Sequence, residues 1–194
     1  MTKNITVVVI GGGYAGVLAA NRLTQRDDTS VTLINARPHF VERIRLHQLI
    51  AGSHDATTAY HNVLADDVQL TIDTVTRINP ADRNVTTATG TTIGYDYLIY
   101  AVGSGSADPS VPGAAEHAHP IATLEQAQRL RSILDTTPAT ATVTVVGAGP
   151  TGIETAAELA EAGRTVTLIC GHILGRTCTH EAGARSPNGS PHSA

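Results

Sequence analysis

Residues 5–20 read ITVVVIGGGYAGVLAA, and residues 143–160 read VTVVGAGPTGIETAAELA. Each is a β-branched run, a glycine-rich turn and a helix-like stretch. Each is followed by the same four residues, VTLI, at Val31–Ile34 and Val166–Ile169. A continuous apolar run of this length suits a strand of a parallel sheet buried on both faces. A parallel pair needs a crossover, normally a helix. The repeat therefore predicts two β–turn–α–β units and an α/β, doubly wound architecture.

The glycines are spaced Gly-x-Gly-x-x-Gly at Gly11, Gly13, Gly16 and again at Gly147, Gly149, Gly152. The first permits a tight turn. The second lets backbone approach a pyrophosphate with no Cβ in the way, and the third lets helix and strand lie close. The helix N-terminus then offers unpaired N–H groups and a positive dipole end to the phosphates. A lone match is weak, because glycine turns are common. Here each follows a strand, opens a helix and has a second strand about 20 residues on, the context that marks a dinucleotide site.

The residue after the second strand ordinarily reads the ribose, and an acidic side chain is usual there. This chain has Asn35 after the first VTLI and Cys170 after the second. Asn35 accepts and donates hydrogen bonds; Cys170 is a poor substitute. The choice between NAD and NADP stays open, with Arg176 as a candidate for a 2′-phosphate contact.

Between the two turns the pattern is less regular. Residues 36–66 mix helix-like apolar spacing (Val41, Ile44, Leu49) with Arg43, Arg45 and His47. Residues 68–100, rich in Thr and Val with turns at Asn79-Pro80 and Gly90, predict a meander of short strands. Thr123 and Gln126 are spaced as a capping box, which starts a helix. Residues 176–194 have no periodicity and are expected to be disordered.

Hydrophobic residues are 41% and charged residues 15%, with a formal net charge of -4. That balance supports a packed core and argues against a nucleic-acid partner, which normally meets a basic excess. No stretch approaches the ~20 apolar residues of a membrane span. The N-terminus has no signal-peptide pattern, so a cytoplasmic location is expected.

Two dinucleotide sites in one chain point to hydride transfer between a nicotinamide and a flavin. VVVIGGGYAG, then YDYLIYAVGS at 95–104, then VVGAGPTGIETAAELAE at 145–161 resemble the two-dinucleotide flavoproteins of the pyridine nucleotide–disulfide oxidoreductase superfamily, in particular its type II NADH dehydrogenase-like branch. The resemblance implies a Rossmann-like FAD-binding domain with a β-meander over residues 1–112. A second, incomplete Rossmann-like NAD(P)-binding domain would follow over 113–175, with an off-family tail over 176–194. Gly11, Gly12, Gly13, Tyr14, Ala15 and Gly16 would cradle the FAD pyrophosphate, and Asn35 would meet the adenosine ribose. Residues 101–104 would be the crossover between domains. Gly147, Gly149 and Gly152 would bind NAD(P)H, and Glu154 would lie near the nicotinamide–flavin contact.

Two readings stand side by side for several of these residues. Glu154 in the first turns of a helix is also what the helix dipole favours. Arg43, Arg45 and His47 serve either to neutralise the FAD pyrophosphate and flank the flavin, or as a solvated basic face. Residues 36–66 contain no cysteine, and Cys170 and Cys178 fall in the second domain and tail. A dithiol relay is therefore not expected, and electrons would leave for a small-molecule acceptor such as a quinone. Peripheral membrane association is a property the resemblance allows. The resemblance stops near residue 175, so the chain reads as truncated and with little activity of its own. A non-catalytic nucleotide-binding remnant and a flavoprotein monooxygenase are the alternative readings.

Overall fold

In a computed structural model the structure describes residues 4–105 and 111–171. The tail expected to be disordered, Arg176 and Cys178 lie outside the described residues. The first elements follow the sequence closely: β1 (Ile5–Ile10), α1 (Tyr14–Leu23) and β2 (Thr29–Asn35). Then come β3 (His39–Val41), a 3-10 turn at Arg43–Arg45, α2 (Leu46–Ala51), β4 (Thr57–Ala59) and a 3-10 turn at Tyr60–Asn62. Strands β5 (Val68–Ile72), β6 (Val75–Asn79), β7 (Asn84–Thr87), β8 (Thr92–Gly94) and β9 (Tyr97–Tyr100) follow. The last elements are α3 (Ala114–His117), α4 (Leu124–Thr136), β10 (Val143–Val146), α5 (Pro150–Glu161) and β11 (Val166–Ile169).

The chain divides into two compact units. The described residues of Met1–Leu46 and Ala56–Leu124 form one; those of His47–Asp55 and Glu125–Ala194 form the other. Residues 47–55 fall within the 1–112 segment expected to form the first domain. Packing instead groups 47–55 with the second half, because those residues bond to it: Gln48 and Ser53 reach Glu158 on α5, and the Ile50 carbonyl accepts from Arg131 on α4.

The first unit is a parallel sheet in the order β5-β2-β1-β9. Strand β1 runs through its centre, with Val7↔Val31 on one side and Val7↔Tyr97 on the other. Alternation along β1 splits its apolar run between two cores. Val7 and Val9 pack with Val17 and Ala20 of α1, Val31, Leu33, Phe40, Tyr60 and Val68. Val8 and Ile10 pack with Ile34 and Val85 on the opposite face, where β6, β7 and β8 form an antiparallel sheet. Burial on both faces is why β1 reads as an unbroken apolar run.

Residues 68–100 are therefore a meander only in the middle. Their first strand, β5, and last, β9, join the parallel sheet beside β2 and β1. Short Thr/Val-rich runs carry no signal that separates a parallel strand from a hairpin strand. Asp96 sets the start of β9: its carboxylate accepts from the Thr6 amide at 3.0 Å and from the Thr6 hydroxyl at 3.1 Å.

In the second unit, β10 and β11 pair in parallel, Val143↔Val166 to Val146↔Ile169. Burial alternates strictly along both strands. Val146 is 76% exposed and Ile169 50%, so one face of this pair is covered and the other open among the described residues.

Candidate functional site

The two glycine turns have the same backbone geometry. Gly11 and Gly147 take φ values of +102° and +107°, the left-handed region that favours glycine. The Gly11 amide donates to the Ile34 carbonyl at 2.9 Å, and the Gly147 amide to the Ile169 carbonyl at 2.9 Å. Gly13 and Gly149 are the extended N-caps of α1 and α5. A Cβ on Gly16 would sit 1.8 Å from the Gly11 carbonyl oxygen, and one on Gly152 1.8 Å from that of Gly147. Each third glycine thus lets its helix cross the strand end in contact with backbone.

The second glycine behaves differently. A Cβ on Gly13 or Gly149 would meet nothing within 4 Å among the described residues. These positions lack a side chain without any protein neighbour requiring it, and each opens the first-turn amides to a ligand. Those amides have no intrahelical acceptor. The residues present therefore fit a dinucleotide pyrophosphate at both turns. Tyr14 and Ala15 are exposed at the start of α1, and the Tyr14 ring stands edge-on to Phe40 with centroids 5.0 Å apart.

The surroundings of the two turns diverge. A Cβ on Gly11 would lie 2.3 Å from the Ala101 carbonyl oxygen, because the crossover runs directly against the first turn. Gly147 has no such neighbour among the described residues. The Gly12 amide donates to Asn35 Oδ1 at 2.9 Å, and Asn35 Nδ2 donates to the Arg37 carbonyl at 2.9 Å. Asn35, read from sequence as a ribose partner, thus also braces the turn.

Tyr60, which the sequence reading passed over, closes this clamp. Its hydroxyl donates to the Gly12 carbonyl at 2.9 Å, and its side chain is buried in the core under α1. Burial pushes the Tyr60 hydroxyl up to about 12. Asn21 on α1 places the segment carrying Tyr60: its amide donates to the Val63 carbonyl at 2.7 Å and accepts from the Ala65 amide at 2.9 Å. One sequence signal pointed here. Gly12 occupies a position where the glycine spacing demands nothing, and a Cβ there would strike the Tyr60 hydroxyl at 2.0 Å. The matching residue of the second turn is Ala148.

The basic residues grouped in the sequence separate in space. Arg43 Nη1 donates to Ser104 Oγ at 3.3 Å, at the end of the crossover. Arg45 pairs with Glu42 at 2.8 Å. His47 turns instead to the second unit, where its Nδ1 lies 3.6 Å from Glu154 Oε2. One turn further along α5, Glu158 accepts from Gln48 Nε2 at 3.2 Å and from Ser53 Oγ at 2.8 Å. The Ser53 bond, then the Gln48 bond, hold its carboxyl below the usual range. Cys170 is exposed with a free thiol.

The chain is similar in sequence and fold to known proteins. The chain is 37% identical over 167 residues to an NADH dehydrogenase-like protein of Mycobacterium tuberculosis, covering 79% of this chain and 42% of the relative. It is 32% identical over 173 residues to the type II NADH:quinone oxidoreductase of Staphylococcus haemolyticus, covering 80% and 43%. The sulfide:quinone oxidoreductase of Aquifex aeolicus superposes with a TM-score of 0.69 at 27% identity, covering 84% of this chain and 42% of that one. The chain spans less than half the length of the curated relatives it matches. The pyridine nucleotide-disulphide oxidoreductase profile matches residues 5–186, and the chain, with its two Rossmann-like turns, belongs to that family.

Proposed function

We propose that the chain holds the two dinucleotides of a flavin-dependent NAD(P)H oxidoreductase, FAD at Gly11–Gly16 and NAD(P)H at Gly147–Gly152. One observation carries this reading: the same turn geometry occurs in two separate compact units, each with open space at its second glycine among the described residues. The chemistry these groups supply when bound is hydride transfer from nicotinamide to flavin and electron transfer onward to an acceptor. A quinone suits that acceptor, as the names of the Staphylococcus and Aquifex relatives suggest.

The order of the two sites rests on their packing. The first turn is held by Ala101, Asn35 and Tyr60, and a preorganised site loses less on binding, which suits a retained flavin. Asn35 stands at the end of β2, where the ribose is met. Arg43 supplies a cation beside the crossover. The second turn, open among the described residues, suits a nucleotide that exchanges, and Glu154 orients its nicotinamide end.

Binding tests this directly. The full chain is titrated with FAD and with NADH, separately and together. Simultaneous binding is expected, with Gly13→Val losing only FAD and Gly149→Val losing only NADH. Competition between the two ligands for one site, or the reverse pattern in the variants, would overturn the assignment.

A further inference from the structure

We propose that His47 is a positioning residue for Glu154, holding that carboxylate toward the nicotinamide end of the second nucleotide site. The inference rests on the reading above that NAD(P)H lies along α5 with its nicotinamide near Glu154.

The geometry begins with α2. Its residues from His47 onward belong to the second unit, although they lie in the first half of the sequence. Ile50 is fully buried there, and Arg131 on α4 donates to its carbonyl at 3.4 Å. Gln48 and Ser53 grip Glu158, fixing the segment against α5. That anchorage leaves His47 facing Glu154, one turn nearer the glycine turn, at 3.6 Å.

The pair is unequal. The His47 side chain is only 13% exposed, whereas that of Glu154 is 53% exposed. The imidazole is the fixed partner and the carboxylate the one that needs fixing. A half-exposed glutamate samples several rotamers, and ordering it on binding costs affinity. A donor held by packing on one side removes part of that cost and leaves the other carboxylate oxygen for a ligand amide. Glu154 follows Gly152 by two residues, so it projects from the end of α5 that meets the dinucleotide.

The test uses the full chain with two probes: NADH, and ADP-ribose, which has the pyrophosphate and both sugars but no nicotinamide. His47→Leu is expected to weaken NADH about 10-fold, the scale of one lost charge-assisted contact, and to leave ADP-ribose unchanged. In a Glu154→Gln background the same change is expected to add nothing. His47→Asn, which keeps a donor near the Nδ1 position, is expected to restore NADH affinity. Where the Leu variant does not fold, His47→Ala carries the same expectation. Equal weakening of both probes would mark His47 as a merely structural residue and overturn the inference. Wild-type NADH affinity in His47→Leu, beside a weakened Glu154→Gln, would overturn it while leaving the proposed function standing. If Glu154→Gln itself binds NADH as the parent does, the role given to Glu154 and the inference fail while the two nucleotide sites stand; if the parent binds no NADH, the functional reading fails and the inference with it.

Discussion

Gly13→Val separates ligand binding from folding. Gly13 caps α1 at φ -81° and ψ -169°, extended backbone that any residue adopts. Its missing Cβ points into space with no atom of the described residues within 4 Å, so valine displaces none of them. An apolar N-cap costs about 0.5–1 kcal/mol, and the loss of glycine's freedom in the unfolded chain returns about 0.4–1 kcal/mol. Stability should therefore change by less than about 1 kcal/mol. The added methyls fill the approach of a pyrophosphate to the first-turn amides. Losing two charge-assisted hydrogen bonds at about 1.5–3 kcal/mol each amounts to about 10²–10⁴-fold in affinity.

Gly16→Ala is the contrasting control. Its Cβ would lie 1.8 Å from the Gly11 carbonyl oxygen, so backbone must move, at about 3 kcal/mol. Chemical denaturation followed by circular dichroism reads the first quantity, and quenching of flavin fluorescence reads the second. A folded Gly13→Val chain that binds FAD within about threefold of the parent would refute the reasoning. So would one that unfolds as readily as Gly16→Ala.

Tyr60→Phe should lower stability by about 1–2 kcal/mol at neutral pH, because the Gly12 carbonyl loses its donor. In the parent, the raised Tyr60 value means this contribution is intact below about pH 10, the ordinary tyrosine value, and lost as pH rises through about 12. A spectrophotometric titration in which all five tyrosines ionise together would contradict it. The Asp73 carboxyl is pulled down to about 2 by the hydroxyls of Thr89 and then Thr87. Its tie to the meander should hold above about pH 4 and fail only as pH falls through about 2; an Asp73 NMR midpoint at the ordinary value would count against that.

The glycine turns were legible because their demands are local. Positive φ, an extended N-cap and a helix pressed on a strand end all act within six residues, so spacing alone locates them. The clamp on the first turn was not legible in the same way. Tyr60 and Gly12 are 48 positions apart, and Asn35 and Gly12 are 23 apart. Nothing local announces that TTAYHN will place a hydroxyl on a glycine carbonyl. The allegiance of α2 was hidden for the same reason, since Gln48 meets Glu158 across 110 positions. Its apolar residues Leu46, Leu49 and Ile50 say that a helix is buried, but not in which unit.

What the sequence treated as a repeat is a repeat of backbone alone. Both turns match in φ, in the amide bond to the following strand and in the contact of the third glycine. They differ in everything that long-range packing supplies. At the first, Ala101, Tyr60 and Asn35 restrict Gly11 and Gly12 from three sides. At the second, a Cβ on Gly147 would meet nothing within 4 Å among the described residues, and Ala148 stands where Gly12 stood. Substituting Gly12 must displace Tyr60, whereas position 148 already tolerates a methyl. The extra glycine of GGG against GAG is thus the one local trace of the clamp. It is also the difference on which the proposed order of a retained flavin first and an exchanging nicotinamide nucleotide second depends.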